Sequence, residues 1–380
     1  MNLLFACSSL EAGRDGVGDY TRLIAQECVR QGHRCSLIAL NDGFVNSIAE
    51  GVDQADDYRI SQLRLPKSTS WAARIAAAQT YITRHPPDWI SLQFVPYGFH
   101  AKGIIWNSIA PLAQILSGYR THIMFHELWL GESKTASFRN RLVGLTQRHF
   151  IKKLVRSVKP RVCHTSNETY AAVLARNGID AQVLALFGNI PIQEPKPRAF
   201  GPADAKRDSL WIVGVFGTIH PQWEPEPFLT ALIEAAEKNG KKILMVAIGR
   251  LGESGEKTWS RMVEMNSGRA SFKKYGELSA EEISQLLHSL DLGVSCTPAR
   301  LFGKSGTGAS MIEHGIPVVI TRTDFEPRVH STGVREPELH RLVHIFRPDE
   351  VLDAPGLIAR RAPPLSRRPL IAAELLRSLH

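Results

Sequence analysis

The sequence predicts two doubly wound α/β domains, each a parallel sheet with helices on both faces. Three observations carry that expectation. Short apolar runs alternate with helical segments through both halves of the 380-residue chain. Gly-rich loops follow several of those runs directly. A break at residues 191–202, holding Pro191, Pro195, Pro197, Gly201 and Pro202, divides the alternation near its middle.

Asn2–Cys7 opens the first half as a buried strand, followed by a loop with Gly13, Gly16 and Gly18 and a helix over Asp19–Gln31 that Gly32 ends. Cys35–Leu40 is the next strand, with an Asn41-Asp42-Gly43 turn. The series continues with a helix over Ser70–His85, a strand over Trp89–Val95, a helix over Gly103–Leu116 and a strand over Thr121–Phe125. A basic helix over Phe138–Val158, a strand over Arg161–Ser166, a helix over Glu168–Asn177 and a strand over Gln182–Phe187 complete it. Leu210–Phe216 starts the second series. Helices follow over 227–239, 257–266, 280–289 and 307–314, and strands over 242–248, 271–275, 290–296 and 317–321. Residues 321–348 carry no firm assignment. The domains expected are 1–190, a linker 191–209, 210–365, and a terminal helix within 366–380 that returns to the first domain.

Composition excludes several classes. At 43% apolar and 22% charged residues the chain is an ordinary globular one, neither disordered nor collagen-like. No apolar run reaches the length needed to cross a bilayer, and Leu3–Cys7 is too short for a secretory signal. The five scattered cysteines contain no Cys-x-x-Cys, against a zinc site or disulfide framework, and a reducing cytoplasm is the expected setting. The net charge of +9 is uneven. Residues 1–190 hold 21 Lys+Arg against 14 Asp+Glu, so the first half carries most of the excess and suits an acidic partner.

Ligands of open parallel sheets bind outside the carboxyl ends of the strands, so the loops there are the candidate sites. Gly16-Val17-Gly18-Asp19 stands between a strand and a helix, where backbone amides can face an anion. It also fits a plain tight turn, because Thr21 replaces the third Gly of a dinucleotide fingerprint. Asp42 suits a ribose-binding acid or a turn-forming one. His126 and Glu127 end a middle strand, where a His can hydrogen-bond a sugar hydroxyl or steady developing charge. The strongest cluster is Phe302-Gly303-Lys304-Ser305-Gly306-Thr307-Gly308, which leads into Glu313. Ser305 or Thr307 can cap the helix, and first-turn amides beside the Lys304 ammonium make a cradle for a diphosphate. Glu313, two turns on, can accept from a ribose diol. The order of a Walker A loop is absent.

These residues resemble the GT-B glycosyltransferases, in particular the retaining family four, over nearly the whole chain. The resemblance rests on Gly16-Val17-Gly18-Asp19-Tyr20-Thr21-Arg22-Leu23-Ile24-Ala25 with Gly32-His33, on His126, and on Gly188-Asn189-Ile190-Pro191. It extends to Gly276-Glu277-Leu278 with Asp291-Leu292-Gly293-Val294, and to Glu313 with Gly315-x-Pro317-Val318-Val319. It implies two Rossmann-like domains facing a cleft, with transfer of a sugar from a nucleotide-diphosphate sugar to a glycan, lipid-linked or small-molecule acceptor. It further implies retention, no metal and no other cofactor.

The roles it implies are these. His126, Lys304 and Glu313 act on the donor, with Gly276, Glu277 and Leu278 around the base. Gly217, Thr218, His220, Ser305, Gly306, Thr307 and Gly308 meet the rest of the donor. Gly16, Gly18, Asp19 and Glu127 shape the acceptor side. Two departures stand out. Ser305 occupies the place of the first Glu of the Glu-x7-Glu motif, and Gly217-Thr218-Ile219-His220 stands where an Arg and a Lys usually follow the strand. Lys304, helped by His220, is expected to replace those cations.

Residues 138–163 hold Arg139, Arg141, Arg148, Lys152, Lys153, Arg156, Lys159 and Arg161 and no acid. Helix 138–158 therefore suits the anionic inner face of a membrane, peripherally, or is simply a solvated basic face. Nucleic acid is not an expected partner, since no binding motif accompanies the charge. Two other functions fit the same residues: a nucleotide-sugar epimerase or hydrolase, and a catalytically weakened sugar-nucleotide or glycan-binding protein.

Overall fold

The structure is a computed structural model that describes residues 1–55, 58–196, 207–329 and 341–380. The chain forms two compact units. The first holds Met1–Leu186, a returning segment that begins at Pro327, and Arg368–His380. The second holds Phe187–Glu326 and a stretch that ends at Arg367.

In the first unit the elements run β1 (Asn2–Cys7), α1 (Gly16–Arg30), β2 (Arg34–Asp42), β3 (Ala49–Ala55), β4 (Tyr58–Pro66), α2 (Trp71–Arg84) and β5 (Trp89–Phe94). They continue with α3 (Pro96–Phe99), α4 (Ile109–Leu116), β6 (Arg120–Phe125), α5 (Phe138–Val158), β7 (Val162–Thr165), α6 (Glu168–Arg176) and β8 (Gln182–Val183). The sheet order is β3-β4-β2-β1-β5-β6-β7-β8. Every pairing is parallel except the β3–β4 hairpin, which falls outside the expected elements. The order reverses between β1 and β5, the position at which open α/β sheets bind ligands. Apolar residues of β1, β5 and β6 are buried on both faces, as central parallel strands require.

Two expectations need correction here. The helix expected over Gly103–Leu116 begins only at Ile109, after a turn in which His100 Nδ1 accepts from the amides of Lys102 and Ile104 at 3.2 Å. Pro111 then falls in the first turn, where its missing N–H costs nothing. The last strand is shortened to Gln182–Val183.

The second unit runs β9 (Leu210–Phe216), α7 (Glu226–Lys238), β10 (Lys242–Ile248), α8 (Glu253–Met265), β11 (Ala270–Gly276), α9 (Ala280–Ser289) and β12 (Leu292–Ser295). After a 3-10 turn over Ala299–Lys304 come α10 (Gly306–Glu313), β13 (Val318–Ile320), β14 (Val343–Ile345) and α11 (Ala354–Ile358). Its sheet, β11-β10-β9-β12-β13-β14, is parallel throughout and reverses between β9 and β12. The final helix, α12 (Arg368–Ser378), belongs to the first unit and packs on α1, with Gln31 Nε2 donating to Pro369 O at 2.9 Å.

The Pro-rich stretch is anchored where it is described. Gln193 N donates to Ser284 Oγ at 3.0 Å and Lys196 N to Gln285 Oε1 at 2.8 Å, both on α9. The rest of the expected linker, 197–206, lies outside the described residues, as does part of 321–348. Among the described residues all five cysteines are unpaired, and no helix is long and apolar enough to cross a membrane.

Candidate functional site

In the first unit the loop after β1 is closed by its own carboxylates. Asp15 caps α1, and its Oδ1 accepts from Val17 N at 2.9 Å and Gly18 N at 3.3 Å. This corrects the expectation that amides around Gly16 and Gly18 face an external anion, because an internal one occupies them. Gly18 has a packing role. A Cβ there would lie 2.4 Å from Ser9 O, so only glycine lets α1 approach the end of β1. Asp19 accepts from Gly13 N through both oxygens, at 3.0 and 3.2 Å, which folds the loop onto the helix. Asp42 is fully buried and accepts from Ser9 Oγ, Leu10 N, Phe44 N and Arg64 Nε. Burial alone would raise its pKa, but Arg64 and the two amides hold it below the usual carboxylate range. It is a loop organiser, the turn-forming alternative.

His126 follows β6 and is buried beside half-buried Glu127. Its backbone N donates to Phe94 O at 3.0 Å, and Tyr20 meets its ring edge-on at 4.9 Å. A chain of buried polar side chains fixes the imidazole. His126 Nε2 and Gln93 Oε1 are 2.9 Å apart, and Gln93 Nε2 donates to Ser91 Oγ at 2.7 Å. Ser91 Oγ is 2.8 Å from His122 Nδ1, and His122 Nε2 is 3.0 Å from His164 Nδ1. The Gln93 amide sets the direction. Its oxygen accepts from His126 Nε2–H, the Ser91 hydroxyl donates to His122, and His122 Nε2–H donates to His164. His126 is left with Nδ1 as an acceptor. Burial pushes its pKa down to about 3, so the ring is neutral at ordinary pH.

In the second unit the loops that follow the strands meet at the point where the strand order reverses. Gly217, after β9, has φ +84°, and a Cβ there would lie 2.9 Å from Thr307 Cγ2. Only glycine allows this approach of the loop to the start of α10. Ser305 caps α10, and its Oγ accepts from Gly308 N at 3.0 Å and lies 3.2 Å from Thr307 Oγ1. The Gly308 amide is therefore taken by the cap. The first-turn amides of Gly306 and Thr307 have no acceptor one turn back, as at any helix start. Gly308 also admits the Phe302 ring, 2.6 Å from where its Cβ would be.

Lys304 precedes the cap and is half-buried. Exposed His220 is held below its ordinary pKa by partial burial, with Arg322 and Lys304 adding positive charge. Its Nδ1 accepts from Gln222 N at 3.1 Å, so Nε2 carries the proton. His220 is thus a neutral donor, which corrects the expectation that it supplies positive charge.

Arg322 was not singled out from sequence. It follows β13, is buried, and pairs with Asp324 at 2.9 and 2.6 Å while donating to Gln222 Oε1 at 3.4 Å. The loop after β11 carries Gly276, whose O accepts from Gly249 N at 2.8 Å, then exposed Glu277, 3.6 Å from Arg250 Nε, and half-buried Leu278. Thr218 is exposed and donates to Arg250 O at 3.4 Å. Gly217, Thr218, Gly249, Gly276, Lys304 and Arg322 therefore share the carboxyl edge of one sheet.

Glu313 differs from its expected role. It is 2% exposed, and its Oε1 accepts from Gly188 N at 3.1 Å. The carboxylate braces the segment that enters the second unit against α10, so it is not presented to a ribose in this structure.

The architecture matches solved structures over its full length. Sucrose-phosphate synthase from Thermosynechococcus elongatus aligns at a TM-score of 0.59 and 12% identity, over 100% of this chain and 95% of that one. The catalytic domain of starch synthase IV from Arabidopsis thaliana, bound to ADP and acarbose, aligns at 0.58 and 11%, over 100% and 99%. UDP-GlcNAc 2-epimerase from Methanocaldococcus jannaschii aligns at 0.53 and 12%, over 100% and 99%. The chain has the GT-B fold. No sequence-family model matches it, and no curated protein aligns with it. At these identities the likeness is one of fold, and function has to be argued from the residues.

Proposed function

We propose that this GT-B protein transfers a glycosyl group from a nucleotide-diphosphate sugar to an acceptor, with retention and without a metal. The observation that carries the reading is the approach of Gly217 to Thr307, which brings the start of α10 to the reversal point of the second sheet. There the amides of Gly306 and Thr307, the Lys304 ammonium and the His220 Nε2–H can take the charge that develops on a departing nucleoside diphosphate. Gly276–Leu278 is the base loop of this reading. In the first unit, neutral His126 offers Nδ1 to a sugar hydroxyl. The basic face of α5 suits an anionic membrane surface, where a lipid-linked acceptor would be held.

A thermal-shift screen with UDP, GDP, ADP and dTDP tests the donor site, because a bound nucleotide raises the melting temperature by mass action. Protein that no nucleoside diphosphate stabilises is not this transferase. An epimerase or hydrolase is the alternative on the same fold, which the M. jannaschii enzyme shares. Product analysis separates the two, since an epimerase or hydrolase changes a nucleotide-sugar with no acceptor present. A protein that binds nucleotide but never turns over any donor is the weakened binding protein instead.

A further inference from the structure

The first unit contains a cavity of about 780 Å³ that none of the site residues above lines. That volume is in the range of small-molecule sites. Its walls come from the loop after His126, the first turns of α5, the end of α6 and Arg328 of the returning segment, all within one unit. Lys134, Arg141, Arg148, Arg176 and Arg328 line it against a single acid, Glu132. That acid is already engaged, by Arg176 Nη2 and by Trp129 Nε1. Among the described residues that line it, the cavity therefore holds more positive than negative charge.

The walls are fixed. Gln147, fully buried on α5, accepts from Leu130 N at 2.8 Å and donates to Lys102 O at 2.8 Å. Gly144 allows the loop to lie against the helix, since a Cβ there would come within 1.9 Å of Leu130 O. Arg328 N donates to Glu132 O at 2.7 Å, and Arg176 Nη1 donates to Arg328 O at 2.9 Å. Arg141 Nη2 donates to Lys134 O at 2.9 Å, yet its buried Nε has no hydrogen-bond partner among the described residues. That Nε is sealed from the cavity, so what the wall offers an anion is the fixed guanidinium charge and the other cations beside it, which suit a group with several acceptor oxygens. The rim is apolar and exposed: Leu130, Phe138, Leu142 and Leu145 all line the cavity.

We propose that this cavity binds a phosphate or diphosphate ester that carries an apolar chain, with the phosphate among the arginines and the chain along the rim of α5. That this ester is the glycosyl acceptor rests on the transferase reading. That the site binds it does not.

Isothermal titration with farnesyl phosphate, inorganic pyrophosphate and neutral farnesol tests the site on the full chain. Farnesyl phosphate is expected to bind most tightly and farnesol not at all. Arg148→Gln with Arg328→Gln should weaken farnesyl phosphate by about tenfold or more. Leu142→Ser with Leu145→Ser should bring it down to the level of pyrophosphate. Both pairs lie on partly exposed positions, and an unchanged melting temperature reports an intact fold. Flotation with phosphatidylcholine vesicles doped with farnesyl phosphate separates the sources. Capture there supports a lipid-borne ligand, and binding of the soluble ester without capture supports a free one. Unchanged binding in the arginine variants overturns the site, as does capture by phosphatidylglycerol vesicles with no binding of soluble farnesyl phosphate. The nucleotide screen is a separate readout, so ester binding with no nucleotide shift removes the transferase reading and leaves the site.

Discussion

At the scale of single residues, two side chains decide whether the site is built as described. Gln93 is the link between His126 and the Ser91–His122–His164 chain. Gln93→Met keeps roughly the same volume but removes both hydrogen bonds, which leaves His126 Nε2–H buried without its partner and Ser91 Oγ with only its bond to His122. The expected cost is about 2 kcal/mol, read by urea unfolding. Turnover should fall further than stability accounts for, because the imidazole is then free to rotate or change tautomer. A variant as active as the parent would show that His126 needs no such orientation. Lys304 is the second test. Lys304→Ala should leave the melting temperature unchanged, since the residue is half-buried and outside the core clusters. It should lower turnover of a nucleotide-sugar by about a hundredfold, the usual loss for one charge-stabilising donor. Normal activity removes Lys304 from the mechanism.

At the scale of elements, the meeting of the β9 loop with α10 carries the donor site. Gly217→Ala forces a side chain into a left-handed backbone and against Thr307. It should cost about 1 kcal/mol or more in stability and weaken nucleotide binding clearly, measured as a smaller thermal shift at fixed ligand. An alanine variant that binds like the parent would mean that the donor does not use this approach. The two sides of this junction were readable in advance, though not the approach of Gly217 to Thr307. A strand, a Gly-rich loop, Lys304 and a capping Ser305 are local signals, and local signals survive folding. The basic helix α5 was readable over the same span, 138–158, from its own residues; its cap, Ser137, was not singled out.

What was not readable depends on distant partners. β3 has no apolar alternation of its own and β4 only a broken one, around Ile60 and across Leu63 and Leu65; register with β2 holds the hairpin in place. Arg322 gains its place from Asp324, from the end of β13 and from Gln222, a hundred residues earlier. Helical spacing places Glu313 on α10, but nothing local reveals that Gly188 N meets its carboxylate. The cavity beside α5 needs Arg328, which reaches the first unit only after the chain has built most of the second.

At the scale of the whole molecule, the two units should respond differently to acid. Burial holds His122, His126 and His164 of the first unit below the ordinary histidine value, His126 to about 3 and His164 to about 4. Among the described residues the second unit has one strongly buried counterpart, His314, held at about 4. The milder shifts of His33 and His220 fall one to each unit. A histidine with a depressed folded pKa contributes its full stability above the unfolded value, near 6.5. It loses stability as pH falls, because the unfolded chain takes up the proton first. Each such group removes at most roughly 1.4 kcal/mol per pH unit in that window. Three groups against one among the described residues make the first unit the acid-sensitive one. Between pH 7.5 and 5 its unfolding temperature should drop more steeply than that of the second unit, and a single melting transition should broaden or split. Hydrogen exchange read by mass spectrometry assigns the early transition, which should expose β5, β6 and β7 first. Bound nucleoside diphosphate should raise only the later transition, because its proposed site lies wholly in the second sheet. Equal losses in both units at pH 5 would contradict the account of the buried histidine chain, and a nucleotide that protects the first unit instead would contradict the placement of the donor site.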